Sequence, residues 1–151
     1  MTWLLTGSAA RALAGFGRRP ADLDIECAAA DAPAAAAALG LVLRPEAGGG
    51  ARSLRARGAI AGVGVDLSAD LALDGSGGRL DPDFTLQRTF AGEARVAGRA
   101  VLLAPVEEAL ARTLVRADRE RLDRLLAEAP AGLLLRADYL ARRLAPVPAT
   151  S

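Results

Sequence analysis

The chain has 151 residues, a formal net charge of +1 and a single cysteine. That length makes one domain with a sizeable core, and the near-neutral balance excludes a broad basic field for nucleic acid. There is no histidine, lysine or asparagine, and all 19 basic residues are arginine, a pattern we read as a GC-rich coding bias. Catalysis by a Ser-His-Asp triad, a histidine metal site, a Schiff-base lysine or a P-loop lysine is therefore excluded.

A lone cysteine excludes an internal disulfide framework, and no signal peptide pattern opens the chain, so a cytoplasmic location is expected. No apolar run reaches the length of a membrane span; the alanine-rich stretch 28–41 is interrupted by Asp31 and Pro33.

Residues 3–6 read as a short strand. Ser8 is the expected N-cap of a helix over 9–13, ended by Gly15 and Gly17. Arg18, Arg19 and Pro20 lead into a strand over 22–27. Side chains alternate along a strand, so Asp22, Asp24 and Glu26 share one face. Leu23, Ile25 and Cys27 take the other, where Cys27 is expected to be buried and inert. Two carboxylates on a rigid strand beside a helix N-terminus suit Mg²⁺-triphosphate chemistry.

Asp31 and Pro33 open a second helix running to Leu39, with Gly40 as its C-cap. Residues 41–43 read as a short strand and 48–50 as a glycine loop. Residues 52–57 and 60–67 form a hairpin around Gly58. In its second strand Ala61, Val63, Val65 and Leu67 face one way, and Ile60, Gly62, Gly64 and Asp66 the other. The glycines leave an open surface beside one carboxylate. Asp70 rivals Asp66 as the third acid, and the strand pattern favours Asp66. Arg52, Arg55 and Arg57 read as a solvated strand face in preference to a nucleic-acid groove.

Residues 74–78 form another loop, and 90–96 with 100–103 a hairpin turning at Gly98. Pro105 with Glu107 and Glu108 opens a helix, the acids set against its dipole. Val106, Leu110 and Leu114, then Leu122, Leu125 and Leu126, mark a core face, and the polar stretch 116–121 admits two helices. Pro130 breaks the pattern before a last helix over about 133–144. Residues 1–145 make one domain and 146–151 a flexible tail.

Gly7-Ser8, a helix, Asp22-Leu23-Asp24 and the later isolated acid in Val65-Asp66-Leu67 occur in one order. That order resembles the DNA polymerase β-type nucleotidyltransferase superfamily. Gly7-Ser8, Ala10, Gly15, Arg18 and Asp22-Leu23-Asp24 look most like the AbiEii-like, toxin-type group. The hairpin at Gly98, Pro105 with Glu107-Glu108, and Arg116, Asp118, Arg119 and Asp123 ahead of Leu125-Leu126 add to the likeness, which spans about residues 3–128. It departs from the pattern in lacking a lysine near the Pro105 helix, where Thr113 and Arg116 stand, and in having Pro20 before the acid pair, where relatives often have Thr.

The resemblance implies a minimal α/β (α+β) fold, a mixed sheet flanked by helices with further helices at the C-terminus. It implies Mg²⁺-dependent transfer of a nucleoside monophosphate from an NTP to a hydroxyl on tRNA, a protein or a small molecule. Asp22, Asp24 and Asp66 are then the catalytic and metal residues, at a two-metal Mg²⁺ site that Mn²⁺ can also fill. Gly7, Ser8, Arg18 and Arg116 are the nucleotide-binding residues. A homodimer or an antitoxin-like partner would complete acceptor recognition. The alternative is a catalytically silent protein of the same fold that binds a nucleotide or a partner.

Overall fold

The computed structural model describes residues 1–145, so the expected tail over 146–151 lies outside the described residues. The chain runs β1 (Trp3–Thr6), α1 (Gly7–Leu13), β2 (Leu23–Cys27), a 3₁₀ turn (Ala29–Asp31), α2 (Ala32–Leu39), β3 (Arg44–Gly48), β4 (Ala51–Ile60), β5 (Val63–Gly75) and β6 (Gly78–Leu80). It continues with α3 (Phe84–Thr89), β7 (Gly92–Val96), β8 (Arg99–Leu103), α4 (Val106–Arg116), α5 (Arg119–Glu128) and α6 (Ala137–Arg143).

The strands form one mixed sheet in the order β3-β4-β5-β2-β1-β8-β7, with β6 added beside the far end of β5. β2 runs antiparallel to β1 and parallel to β5. This is the α+β architecture anticipated above, a mixed sheet flanked by helices and followed by C-terminal helices.

Two cores lie on opposite faces. On one, Ala32, Ala35 and Ala36 of α2 form an i, i+3, i+4 stripe of small side chains against Cys27, Ala56, Leu67 and Ala69. On the other, Ala111 and Val115 of α4 pack against Leu71, Leu73 and Leu80. Burying side chains such as Leu67 and Leu73, both almost wholly enclosed, contributes roughly 1.5–3 kcal/mol each. Ala9 and Ala10 of α1 pack on Leu5 and Leu103.

β5 serves both cores because it carries a bulge. Its pairing with β4 slips by one residue, so that Asp70 and Leu71 together face Ser53, and Asp70 adopts a left-handed backbone with φ +57. Before the bulge odd-numbered residues face α2; after it they face α4.

Several expected boundaries move. Thr6, not Ser8, sits at the N-cap of α1, without a side-chain cap hydrogen bond. Asp31 likewise makes no side-chain cap bond, and a 3₁₀ turn precedes α2. Gly40 does terminate α2, with φ +69. Residues 41–43 are irregular and the strand begins at Arg44. The β4–β5 hairpin turns at Ala61-Gly62, both at positive φ as a tight two-residue turn demands, and Gly58 stays within β4. The loop expected over 74–78 is a tight connection between β5 and β6. α3, capped by the Asp83 carboxylate on the Leu86 N–H (3.0 Å), was not anticipated. The last helix is shorter than expected, Ala137–Arg143.

Candidate functional site

Register places the acids. Thr6 of β1 lies opposite Asp24 of β2, and Asp24 lies opposite Asp66 of β5. Three adjacent strands thus present one row, Thr6–Asp24–Asp66, on the face that α4 covers. Asp22 precedes β2 and lies against Gly64, where a Cβ on the glycine would collide with its carboxylate. Gly7 does the same for Asp24. A Cβ there would overlap the Asp24 carboxylate, and the Gly7 backbone has φ +64. Both conditions call for glycine. Asp70 turns away at the bulge and lines a second cavity with Glu46, Arg52 and Asp81, which removes it as the third acid.

Gly7, Ser8, Arg18, Asp24, Asp66 and Arg116 all line one cavity of about 460 Å³ between the sheet and α4. Asp22 is not part of its lining and stays exposed at the end of β2. Arginines dominate the helical side. Arg11, Arg121 and Arg124 join Arg18 and Arg116 there. Among the described residues these guanidinia lack strong partners. Arg121 is 3.9 Å from Asp118 and Arg124 3.6 Å from Glu120, while the Nε of Arg11 is buried without a hydrogen-bond partner. Burial, then repulsion from Arg18, draws the Arg11 pKa down; burial, then Arg121, Arg112 and Arg55, does the same at Arg116. A cavity wall under that self-repulsion favours an anionic occupant.

Burial pushes the Asp24 carboxyl above the ordinary aspartate value, and the charges of Asp66 and Asp22 push it further against the pull of Arg55 and Arg11. A cation at Asp24 would relieve that strain. Asp22 and Asp24 have no guanidinium partner among the described residues, so the pair fits a hard divalent ion by donor chemistry. Asp66 differs. Arg55 grips it with Nε to Oδ1 at 3.1 Å and Nη2 to Oδ2 at 2.7 Å, and Arg57 Nε reaches Oδ2 at 3.1 Å. Among the described residues no group of three acid, histidine or cysteine side chains is arranged to hold a metal. The donors present fit an ion at Asp22 and Asp24, and do not fit one that also draws on Asp66.

Alternation along β4 separates the three arginines expected on one strand face, because Arg52 is an odd number of residues from Arg55 and Arg57. Arg55 and Arg57 lie on the side of Asp66, whereas Arg52 lines the second cavity.

Behind the row lies a buried ion-pair chain that the sequence did not reveal. Glu26, two residues beyond Asp24 on the same face, is 3 % exposed. It accepts from Arg112 Nη2 at 2.8 and 3.0 Å and from Gln87 Nε2 at 2.9 Å. Arg112 also donates Nε to Glu108 at 3.1 Å. Glu108 in turn accepts from Arg143 at 3.0–3.2 Å and from the Tyr139 hydroxyl. Glu107 accepts from Arg136, which lies over the Phe90 ring. Glu107 and Glu108 are thus buried ion-pair acceptors as well as acids in the first turn of α4. The i, i+4 spacing of Glu108 and Arg112 was the only trace in the sequence. Cys27 is 1 % exposed and its thiol is pushed up to about 11 by burial, which keeps it unreactive.

Among the described residues no helix is long and apolar enough to cross a membrane. No protein-family model matches the chain, and no curated protein matches it. Among solved structures, the chain is similar to a putative nucleotidyltransferase from Thermotoga maritima, with a TM-score of 0.67 and 20% sequence identity over 83% of this chain and 80% of that one. At that identity the likeness establishes a shared fold, and the architecture of this chain is that of the Thermotoga maritima protein.

Proposed function

We propose that the protein is a nucleotidyltransferase that moves a nucleoside monophosphate from an NTP to a hydroxyl acceptor. The observation that carries this reading is the single cavity in which Gly7-Ser8, Asp24 and Asp66 meet the under-partnered arginines Arg11, Arg18 and Arg116. Arginines without carboxylate partners among the described residues suit the triphosphate, and Asp24 opposite them, with Asp22 at the end of the same strand, suits the cation that accompanies it. The likeness to a protein described as a nucleotidyltransferase agrees with it.

In this reading the Gly7 and Ser8 backbone N–H groups and the Ser8 hydroxyl hold the terminal phosphates. Arg18 and Arg116, joined by Arg11, neutralise their charge and orient them. Asp22 and Asp24 would hold Mg²⁺, or Mn²⁺ in its place; when bound, that ion polarises the phosphoryl oxygens and stabilises the developing charge. Asp24 must be ionised to serve, so acid is expected to weaken binding. Transfer by in-line displacement depends mainly on such positioning and charge stabilisation. The acceptor is tRNA, a protein side chain or a small molecule, presented by a second copy or an antitoxin-like partner.

Calorimetric titration of ATP, GTP, CTP and UTP, with and without Mg²⁺, tests the reading against the Asp22→Ala/Asp24→Ala double variant. Mg²⁺-dependent binding that disappears in the variant is the expected result. No binding in the wild type sinks the proposal. Binding with no pyrophosphate release in the presence of any acceptor favours the silent nucleotide-binding alternative, which the guanidinium clasp on Asp66 also supports.

A further inference from the structure

We propose that Arg55 is a built-in cation that takes the charge-balancing role of a second metal ion at Asp66, so that the site binds one divalent ion and not two. The inference rests on the proposed nucleotidyl transfer and deepens it.

Three observations carry it. The first is the clasp. Both Asp66 oxygens are committed to guanidinium N–H donors, Oδ1 to Arg55 and Oδ2 to Arg55 and Arg57. A fork-on-fork pair of this kind is among the strongest ion-pair geometries; it takes three of the four acceptor positions of the carboxylate and sets two guanidinium charges against a metal at the fourth, on Oδ1. The second is bracing. Arg57 is itself held by Glu46 of β3, with Nη1 at 2.8 and 2.6 Å from the two carboxylate oxygens. Arg55, Asp66, Arg57 and Glu46 form a charge-neutral quartet across β3, β4 and β5.

The third is placement. Arg57 faces Asp66 directly across the β4–β5 pair, whereas Arg55 faces Ser68 and reaches Asp66 on the diagonal. That diagonal brings Arg55, and not Arg57, to the lining of the cavity that holds Asp24. The Arg55–Asp66 side chains are only 28 and 20 % exposed, so solvent screens the pair weakly. A fixed guanidinium thus stands beside the carboxylate row where a phosphoryl group would lie. A chain without lysine has only this kind of cation to offer there.

The role differs from that of Arg18 and Arg116. Those residues lack strong partners among the described residues and suit a ligand; Arg55 already has its partner, and what it contributes is the neutralisation of Asp66. Asp24 gains as well. Its strand neighbour Asp66 repels it, and Arg55 offsets part of that repulsion.

The test counts ions. Mn²⁺ is titrated into the full chain with one equivalent of a non-hydrolysable nucleoside triphosphate. Bound ions are read from the loss of the free-ion EPR signal, against the same nucleotide without protein. The wild type is expected to hold one ion per chain, and Asp66→Asn also one, since Asp66 is not a ligand. Arg55→Met, similar in bulk but uncharged, is expected to gain a second. Two ions in the wild type, loss of the ion in Asp66→Asn, or a count that stays at one in Arg55→Met would each overturn the inference. If Arg55→Met fails to fold, the Asp66→Asn count still decides. No ion above the nucleotide control in the wild type would instead remove the proposed nucleotidyl transfer, and this inference with it.

Discussion

Arg112 of α4 donates to Glu26 of β2 across 86 positions of chain, and so ties the helix that roofs the cavity to the strand that carries Asp24. Burial lowers the Arg112 pKa, but the charges of Glu26 and Glu108 outweigh it and leave the guanidinium more basic than usual. Removing it leaves two buried carboxylates without their shared cation. Arg112→Met is therefore expected to destabilise the fold by about 3–5 kcal/mol, the usual loss when one partner of a buried pair is deleted. Urea unfolding monitored by circular dichroism measures it. A loss below about 1 kcal/mol, the scale of a surface pair, would refute the bracing role.

Acid should attack the same network. Burial raises the Glu108 pKa, but Arg112 and Arg143 more than reverse it and hold the carboxyl below its ordinary value. A carboxyl with a depressed folded-state pKa contributes stability that is in place above its unfolded value and is lost as pH falls through the folded one. Stability should therefore drop as pH is lowered from the ordinary glutamate range into the range below it. Glu108→Gln should start less stable and show a shallower drop over that window. Thermal melts across an acid series compare the two; parallel curves would exclude Glu108 as the titrating group.

Gly7→Ala should fail in two ways at once. The backbone there is left-handed, and the added methyl would overlap the Asp24 carboxylate. Strain of this kind costs on the order of 1–3 kcal/mol. The displaced carboxylate should also lower Mg²⁺-nucleotide affinity by about tenfold or more, near 1.4 kcal/mol. Melting temperature and calorimetric Kd are the two readouts, and a variant unchanged in both would contradict the close packing of Gly7 on Asp24.

Asp24→Asn should separate stability from function. Burial and the neighbouring Asp66 and Asp22 charges make ionised Asp24 costly to the folded chain. Its neutral isostere should therefore raise Tm, by more the higher the pH and so the more fully Asp24 is charged. The same substitution should weaken Mg²⁺-dependent nucleotide binding by roughly 100-fold, about 2.8 kcal/mol. A variant that binds nucleotide as well as the wild type would remove Asp24 from the site.

What could be read from the sequence was local. The alternation 22–27 placed Asp24 and Glu26 on one face, and Gly7-Ser8 marked the turn into α1. The register of β2 against β5 could not be read, because parallel pairing depends on the whole crossover between the strands. Gly64 hinted at it, since it makes room for the carboxylate of Asp22, just ahead of β2. The Glu26–Arg112 pair escaped because its partners are remote in sequence and each looks like a surface residue alone. α3 escaped because Phe84–Thr89 is only six residues long and carries two threonines, poor helix formers, and is sustained by the Asp83 cap and by Gln87 on Glu26.

The bulge shows the same gap between pattern and register. Odd positions from Val65 to Leu73 are all apolar, as a strand with a single buried face would be, yet Leu67 and Ala69 belong to one core and Leu71 and Leu73 to the other. Asp70 acts like a dislocation in a crystal row, one extra unit that lets the row continue in a shifted frame. Excising Asp70 would heal the dislocation and leave each flanking residue against the neighbour it now has. Cutting any other residue out of the middle of β5 would turn half the strand inside out. Along β5, then, tolerance to a lost codon is concentrated at one position, Asp70.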